Sequence, residues 1–108
     1  MIRNVVVGRL RPSTDPERAA ADSAQLDEAL AGIVALDLPG CMSVHVGRDL
    51  GLRSGGWDFT ITSDWVDAEA YRSYDVETEH NRLRREGFGP VCVEIARVQI
   101  EIADPADQ

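Results

Sequence analysis

A chain of 108 residues is the length of one domain and can bury roughly two-thirds of its unfolded surface without disulfides or a metal. Its 19 acidic residues against 11 basic ones give a formal charge of -8, a field that repels nucleic-acid phosphates and anionic membranes and so excludes both as partners. The apolar run in MIRNVVVGRL is too short for a signal-peptide core, and no stretch approaches the ~20 apolar residues of a membrane span, so a cytoplasmic protein is expected.

The first element is a strand over residues 2–11, with Ile2, Asn4, Val6, Gly8 and Leu10 on one face and Arg3, Val5, Val7, Arg9 and Arg11 on the other. Both faces are apolar in the middle, as in a central strand covered on each side. Pro12 ends it. A helix follows, started either by a capping box of Thr14 with Glu17 or by Asp15 as cap with Pro16 at the first helical position. Ala19, Ser23, Leu26, Leu30 and Ile33 form its buried stripe, and Ala20, Asp22, Asp27 and Glu28 are turned away. The sequence Asp37-Leu38-Pro39-Gly40 stops it.

Residues 41–47 read as a second strand, with Met42, Val44 and Val46 on one side and Cys41, Ser43 and His45 on the other. The glycine-rich loop after it lacks the spacing of a phosphate loop. Trp57, Phe59, Ile61, Ser63 and Trp65 alternate with Asp58, Thr60, Thr62 and Asp64 in a third strand, apolar on one face only. Asp67 caps a helix through Ala70, Tyr71 and Tyr74, and a further helical turn or two runs from Thr78 to Glu86, closing at Gly87. In the last strand, residues 91–102, the apolar face changes from Val91, Val93 and Ile95 to Ala96, Val98, Ile100 and Ile102. That switch implies a bulge or a second buried environment supplied by another chain.

The order strand, helix, strand, strand, helix, strand predicts an α+β, ferredoxin-like βαββαβ subunit: a four-stranded antiparallel sheet with helices on one face. The other face, with Val5, Val7, Val98 and Ile100, is left bare, and two such sheets facing one another form an α/β barrel across a homodimer. The domain is expected to span residues 1–102, followed by a polar tail over residues 103–108. The two cysteines, Cys41 and Cys92, are expected as free thiols. Together with His45 and His80 they lack paired ligand spacing, so neither a metal nor another cofactor is expected.

Candidate chemistry centres on Tyr74 and His80. A histidine there can take a proton from carbon next to a carbonyl near neutral pH, Tyr74 can orient it or donate to a developing enolate, and the amide of Asn4 can hold the carbonyl oxygen. The structural alternative leaves His80 at a helix start with one backbone hydrogen bond and Tyr74 in the core. Val6, Leu26, Leu30, Phe59, Ile61, Trp65 and Tyr71 are the expected walls of a pocket between helices and sheet for a small apolar or phenolic ligand. Arg82, Arg84 and Arg85 either steer an anionic ligand to its mouth or pair with Glu79 and Glu86 along the helix.

The segments MIRNVVVGRLRP, VHVGRDLG, GWDFTITSDW and AEAYRSYDVETEH, in that succession and with Tyr74 six residues before His80, resemble the stress-responsive dimeric α/β-barrel (Dabb) family over nearly the whole chain. The resemblance implies a ferredoxin-like subunit that dimerises into a barrel, with one pocket per subunit. Some members of that family are similar to plant polyketide cyclases, in which a tyrosine and a histidine at the positions matching Tyr74 and His80 serve ring closure; others are small stress-associated proteins. This sequence has Asn4 where cyclase-like members have a first-strand histidine. It also has Glu77-Thr78-Glu79-His80 in place of their His-Pro-x-His. The readings that follow are a small-ligand-binding barrel, a cyclase-like enzyme abstracting a proton next to a carbonyl, and a non-enzymatic assembly protein.

Overall fold

The structure, a computed structural model, describes residues 1–104; the last four positions of the expected polar tail lie outside the described residues. Four strands, β1 (Ile2–Leu10), β2 (Cys41–Arg48), β3 (Phe59–Trp65) and β4 (Cys92–Glu101), form one sheet in the order β2-β3-β1-β4. Every neighbouring pair is antiparallel. The helices are α1 (Pro16–Ala35), α2 (Ala68–Asp75) and α3 (Thr78–Arg82). A π-helical segment (Leu83–Phe88) and a 3₁₀ turn (Gly89–Val91) lead from α3 into β4.

Residues paired across strands point to the same face, so the register assigns the two faces of the sheet. Asn4, Val6 and Gly8 of β1 share the helix-covered face with Phe59, Ile61 and Ser63 of β3, and all six are buried. Val6, Ile61 and Phe59 meet Leu26, Ala29, Leu30 and Ile33 of α1, with Leu83, Phe88 and Val91 closing the cluster from the far side. This is the core. The opposite face carries Val5, Val7, Ala96, Val98 and Ile100 and no element covers it; Val98 and Ile100 are 52% and 45% exposed.

Of the two possible starts for α1, the structure has Asp15, whose carboxylate accepts from the Glu17 amide at 3.0 Å, with Pro16 following as the first helical residue. The stripe differs from expectation at its N-terminal end. Ala19 is exposed and Asp22 is buried. Asp22 turns inward because Arg11 meets it with two hydrogen bonds, at 2.7 and 3.0 Å, and an ion-paired, doubly bonded carboxylate tolerates burial that a bare one does not. The pairing holds its pKa below the ordinary carboxylate value.

Three strand boundaries also move. Trp57 falls outside β3 and lies half-buried beneath the Arg9 guanidinium, 4.1 Å from its ring centroid. In β2 the register slips between Cys41 and Ser43, so Cys41 pairs with Trp65 on the covered face instead of sharing a side with Ser43 and His45, and Met42 is left 60% exposed. The last strand does carry a bulge, since Leu10 pairs with Cys92 but Arg9 with Glu94, which leaves Val93 out of the ladder and 58% exposed. The change of apolar face comes after it, where Ala96, Val98 and Ile100 turn to the bare side of the sheet. Beyond the bulge Ile95, Arg97 and Gln99 follow Gly8, Val6 and Asn4 on the helix-covered face. No helix among the described residues is long and apolar enough to cross a membrane.

Candidate functional site

The turn between α2 and α3 is fastened by side-chain hydrogen bonds on both sides. The Asp67 carboxylate caps α2 by accepting from the Ala70 amide at 2.8 Å. Glu77 caps α3 with both oxygens, accepting from the amides of Glu79 at 3.0 Å and His80 at 2.6 Å. The Asn81 side-chain amide donates to the carbonyls of Asp75 and Glu77, each at 2.9 Å. Glu77, at the place of the first histidine of the family's helix-turn motif, therefore fixes the backbone of the residue that follows three positions on. His80 is held where its ring faces Tyr74.

The ring centroids of Tyr74 and His80 are 3.9 Å apart with a 32° tilt, and Trp65 stacks on the far side of Tyr74 at 4.5 Å. Tyr71 lies beside Tyr74, with ring centroids 6.1 Å apart and planes tilted by 50°. Trp65 is in turn oriented by its indole N–H, which donates to the Ser63 hydroxyl at 2.9 Å. The stack is buried from end to end: Trp65 is 1%, Tyr74 6% and His80 7% exposed. Burial pushes the His80 pKa below its ordinary value, with the Tyr74 backbone pulling partly the other way, so its imidazole is neutral at pH 7. Burial raises the Tyr74 pKa far above that of a free phenol, which keeps its hydroxyl protonated. A neutral imidazole and a phenol that retains its proton form a base and a donor in contact.

His80 Nδ1 is buried without a hydrogen-bond partner. The ring borders a small void that it shares with Asn4, Val6, Ile61, Tyr71, Tyr74, Asp75, Arg84, Phe88 and Arg97. Its free volume is about 10 Å³, room for about one water. Asn4 is fixed at the sheet side, its carbonyl oxygen accepting from the Gln99 amide at 2.9 Å. The three residues expected to carry chemistry thus meet around one void, which the Tyr74-His80 spacing alone does not establish.

The expected pocket walls divide. Val6, Ile61 and Tyr71 line the void with His80. Leu26, Leu30 and Phe59 are packed into the closed core, with Phe59 edge-on to Phe88 at 6.1 Å. Trp65 reaches the site through Tyr74 and lines a second narrow space with Ile33, Cys41 and Val44. A wider, open groove of about 400 Å³ runs outside α2 between Leu38, Pro39, Gly40, Val66 and Ala70, and Tyr74 forms part of its wall too. Arg97, Gln99 and Phe88 are the site residues that sequence reasoning missed, while Arg84, expected either at the pocket mouth or paired along the helix, borders the void. The signal was the polar run Arg97, Gln99, Glu101 on one phase of the last strand, which the register places on the covered side.

Of the three arginines after His80, Arg82 pairs with Glu79 and Glu86, whereas Arg84 donates to the neutral carbonyl oxygen of Asn81 at 2.6 Å. His45 lies on the open sheet face, paired with Thr62, away from the void. Cys41 and Cys92 are free thiols, and among the described residues no three His, Cys, Asp or Glu side chains form a group able to hold a metal ion.

Solved structures share this architecture. A dimeric ferredoxin-like protein from Thermobifida fusca is 23% identical with a TM-score of 0.70, over 94% of this chain and 90% of that one. A Dabb family protein of ferredoxin-like fold from Mesorhizobium loti is 16% identical, TM-score 0.65, over 95% and 97%. The hydroxynitrile lyase of Passiflora edulis is 19% identical, TM-score 0.65, over 95% and 94%. No curated protein matches the chain. The model of the stress responsive A/B barrel domain matches residues 2–102, nearly the whole of the sequence, and with the four-stranded sheet, its one bare face and the helices over the other, the chain belongs to that family.

Proposed function

We propose that the chain is a cytoplasmic, homodimeric barrel protein in which each subunit binds a small, largely apolar ligand with one carbonyl or phenolic oxygen, between α2, α3 and the sheet. The observation that carries this reading is the unpartnered Nδ1 of His80 beside Asn4, at the end of an aromatic stack. A buried polar atom without a partner costs about 1–3 kcal/mol, and a ligand hydroxyl or a water between ligand and ring removes that cost. Tyr74 separates the void from the open groove of about 400 Å³, so a rotation of its ring joins the two into a space of ligand size. A dimeric ferredoxin-like protein among the similar structures supports dimerisation, and the bare apolar sheet face is the surface suited to it.

The test is a titration of the chain with a neutral phenol, 4-hydroxyphenylacetamide, followed through the NMR signals of the His80 imidazole. Saturable shifts that vanish in Tyr74→Ala are expected. Unmoved His80 signals at millimolar probe would remove the site.

A second reading is favoured by the paired protonation states: His80 takes a proton from carbon α to a carbonyl, and Tyr74 donates to the enolate oxygen. A hydroxynitrile lyase of the same fold supports the idea that this architecture accommodates enzymes. Hydrogen-deuterium exchange at the central carbon of S-ethyl acetothioacetate is the assay, and His80→Ala should lower the protein-catalysed rate by about 10²–10⁴-fold. Undiminished exchange in a folded His80→Ala variant sinks this reading and leaves the binding one standing.

A further inference from the structure

We infer that the natural ligand of the His80 void is a small organic acid, its anionic group held at the void's solvent edge by Arg84 and Arg97 while its apolar body points toward Tyr74. The inference rests on the reading of the void as a ligand site and adds the charge of what enters it.

Two guanidinium groups and one carboxylate, Asp75, border the void. Arg97 stands opposite Val6 in the ladder, so it rises from the helix-covered side of the sheet and stays clear of the open face. Arg84 comes from the π-helical segment on the other side of the void. Among the described residues the arginines at 3, 9, 11, 48 and 82 pair with a carboxylate, and those at 18, 53, 72, 84, 85 and 97 do not; of these six only Arg84 and Arg97 border the void. Arg84 and Arg97 have no carboxylate partner among the described residues: Arg84 bonds only the neutral Asn81 oxygen, and Arg97 makes no hydrogen bond or ion pair there.

In a chain of net charge -8 carboxylates are plentiful, so two unclaimed guanidinium groups at one opening leave a local positive field against the sign of the whole molecule. A guanidinium offers a planar fork of donors that matches a carboxylate, and it loses little hydration in doing so. Arg97 is exposed, so the anion it receives keeps part of its water and escapes the cost of full burial. Asp75 borders the same void and offsets one of the two positive charges, which leaves a net positive edge.

The experiment compares 4-hydroxyphenylacetate with its amide and methyl ester, titrated into the full chain and followed by the His80 imidazole and arginine Nε–H signals. The acid should bind about tenfold or more tightly than the amide, the difference a charge-assisted bond makes, and added salt should shrink that advantage. Arg97→Gln and Arg84→Gln should each lower the acid's affinity more than the amide's, with native far-UV dichroism showing that the variants fold; Arg97→Lys should keep part of the preference. Equal affinity for acid and amide, with His80 shifts present, overturns the anion and leaves the ligand site intact. Probes that move no His80 signal overturn both.

Discussion

The side chain on which the candidate chemistry turns is also one whose protonation is tied to folding. Burial lowers the His80 pKa, so the unfolded chain takes up a proton near pH 6.5 while the folded chain does so only at lower pH. The native state is therefore at full advantage above pH 6.5 and loses stability as pH falls from there toward the folded pKa. Urea unfolding at pH 7.5 and pH 5.5 should show a lower midpoint at the acid end, and His80→Phe should flatten that difference. Tyr74 works in the other direction. Its pKa is raised, so above pH 10 the unfolded phenol ionises before the folded one and stability falls as pH rises; Tyr74→Phe should reduce that alkaline loss and leave the share of Tyr71 and the two cysteines. Asp64, held below the ordinary carboxylate value by the Arg3 hydrogen bond, adds stability that is present above pH 3.8 and lost beneath it. Asp22 and Glu79 are lowered alongside Asp64, and Tyr71, Cys41 and Cys92 are raised alongside Tyr74, so each contribution is read from the difference between the chain and its variant at that residue.

At the scale of elements, close packing decides which sequence signals survive. Gly8 reads as a close backbone approach, a bulge or a simple tolerated glycine, and the structure shows a close approach of another kind, by a side chain: Gly8 is regularly paired in the ladder, and a Cβ there would run into Cε1 and Cζ of Phe59. Gly8→Ala should cost about 1–3 kcal/mol by overpacking. Gly47, where a Cβ meets nothing within 4 Å, gives the control; Gly47→Ala should be neutral or stabilising by up to about 1 kcal/mol. Chemical denaturation of both variants checks the contrast. The same logic explains what could be read from the sequence. Period-two alternation in β1 and β3 and the caps at Asp15 and Asp67 are local signals, and they gave the element order and hence the fold. The inward turn of Asp22 was not legible, because its cause is Arg11, eleven positions away on another element. Nor was the side of Cys41, which depends on the slip in register against β3. The Tyr74-His80 pair was visible as a spacing and Arg84 as a charge after it, whereas Arg97 joins the site only through the register of β4 against β1, which sets it opposite Val6.

For the whole molecule, the sheet has two sides with very different surroundings. One is closed by the helices; the other presents Val5, Val7, Ala96, Val98 and Ile100 in a band between two ion pairs. Arg3 and Asp64 meet at 2.7 Å and 2.9 Å, with the Ser43 hydroxyl donating to the same carboxylate at 3.1 Å, and Arg9 meets Glu94 at 2.8 Å. An apolar centre rimmed by satisfied polar groups is the anatomy of an interface, and a two-fold axis through the sheet lets each band cover the other. Val98 and Ile100, on the edge strand β4, are its large exposed members, so a charge at either would be carried twice into the contact. Val98→Arg should convert a dimer to a monomer at micromolar concentration, measured by light scattering, because each subunit then places an unpaired guanidinium against its symmetry mate. The substitution lies on the sheet face remote from the helices, so the monomer should retain its helix-covered core and its far-UV dichroism. A wild-type chain that scatters as a monomer would remove the barrel, while the fold and the site beneath α2 and α3, built from one subunit, would stand.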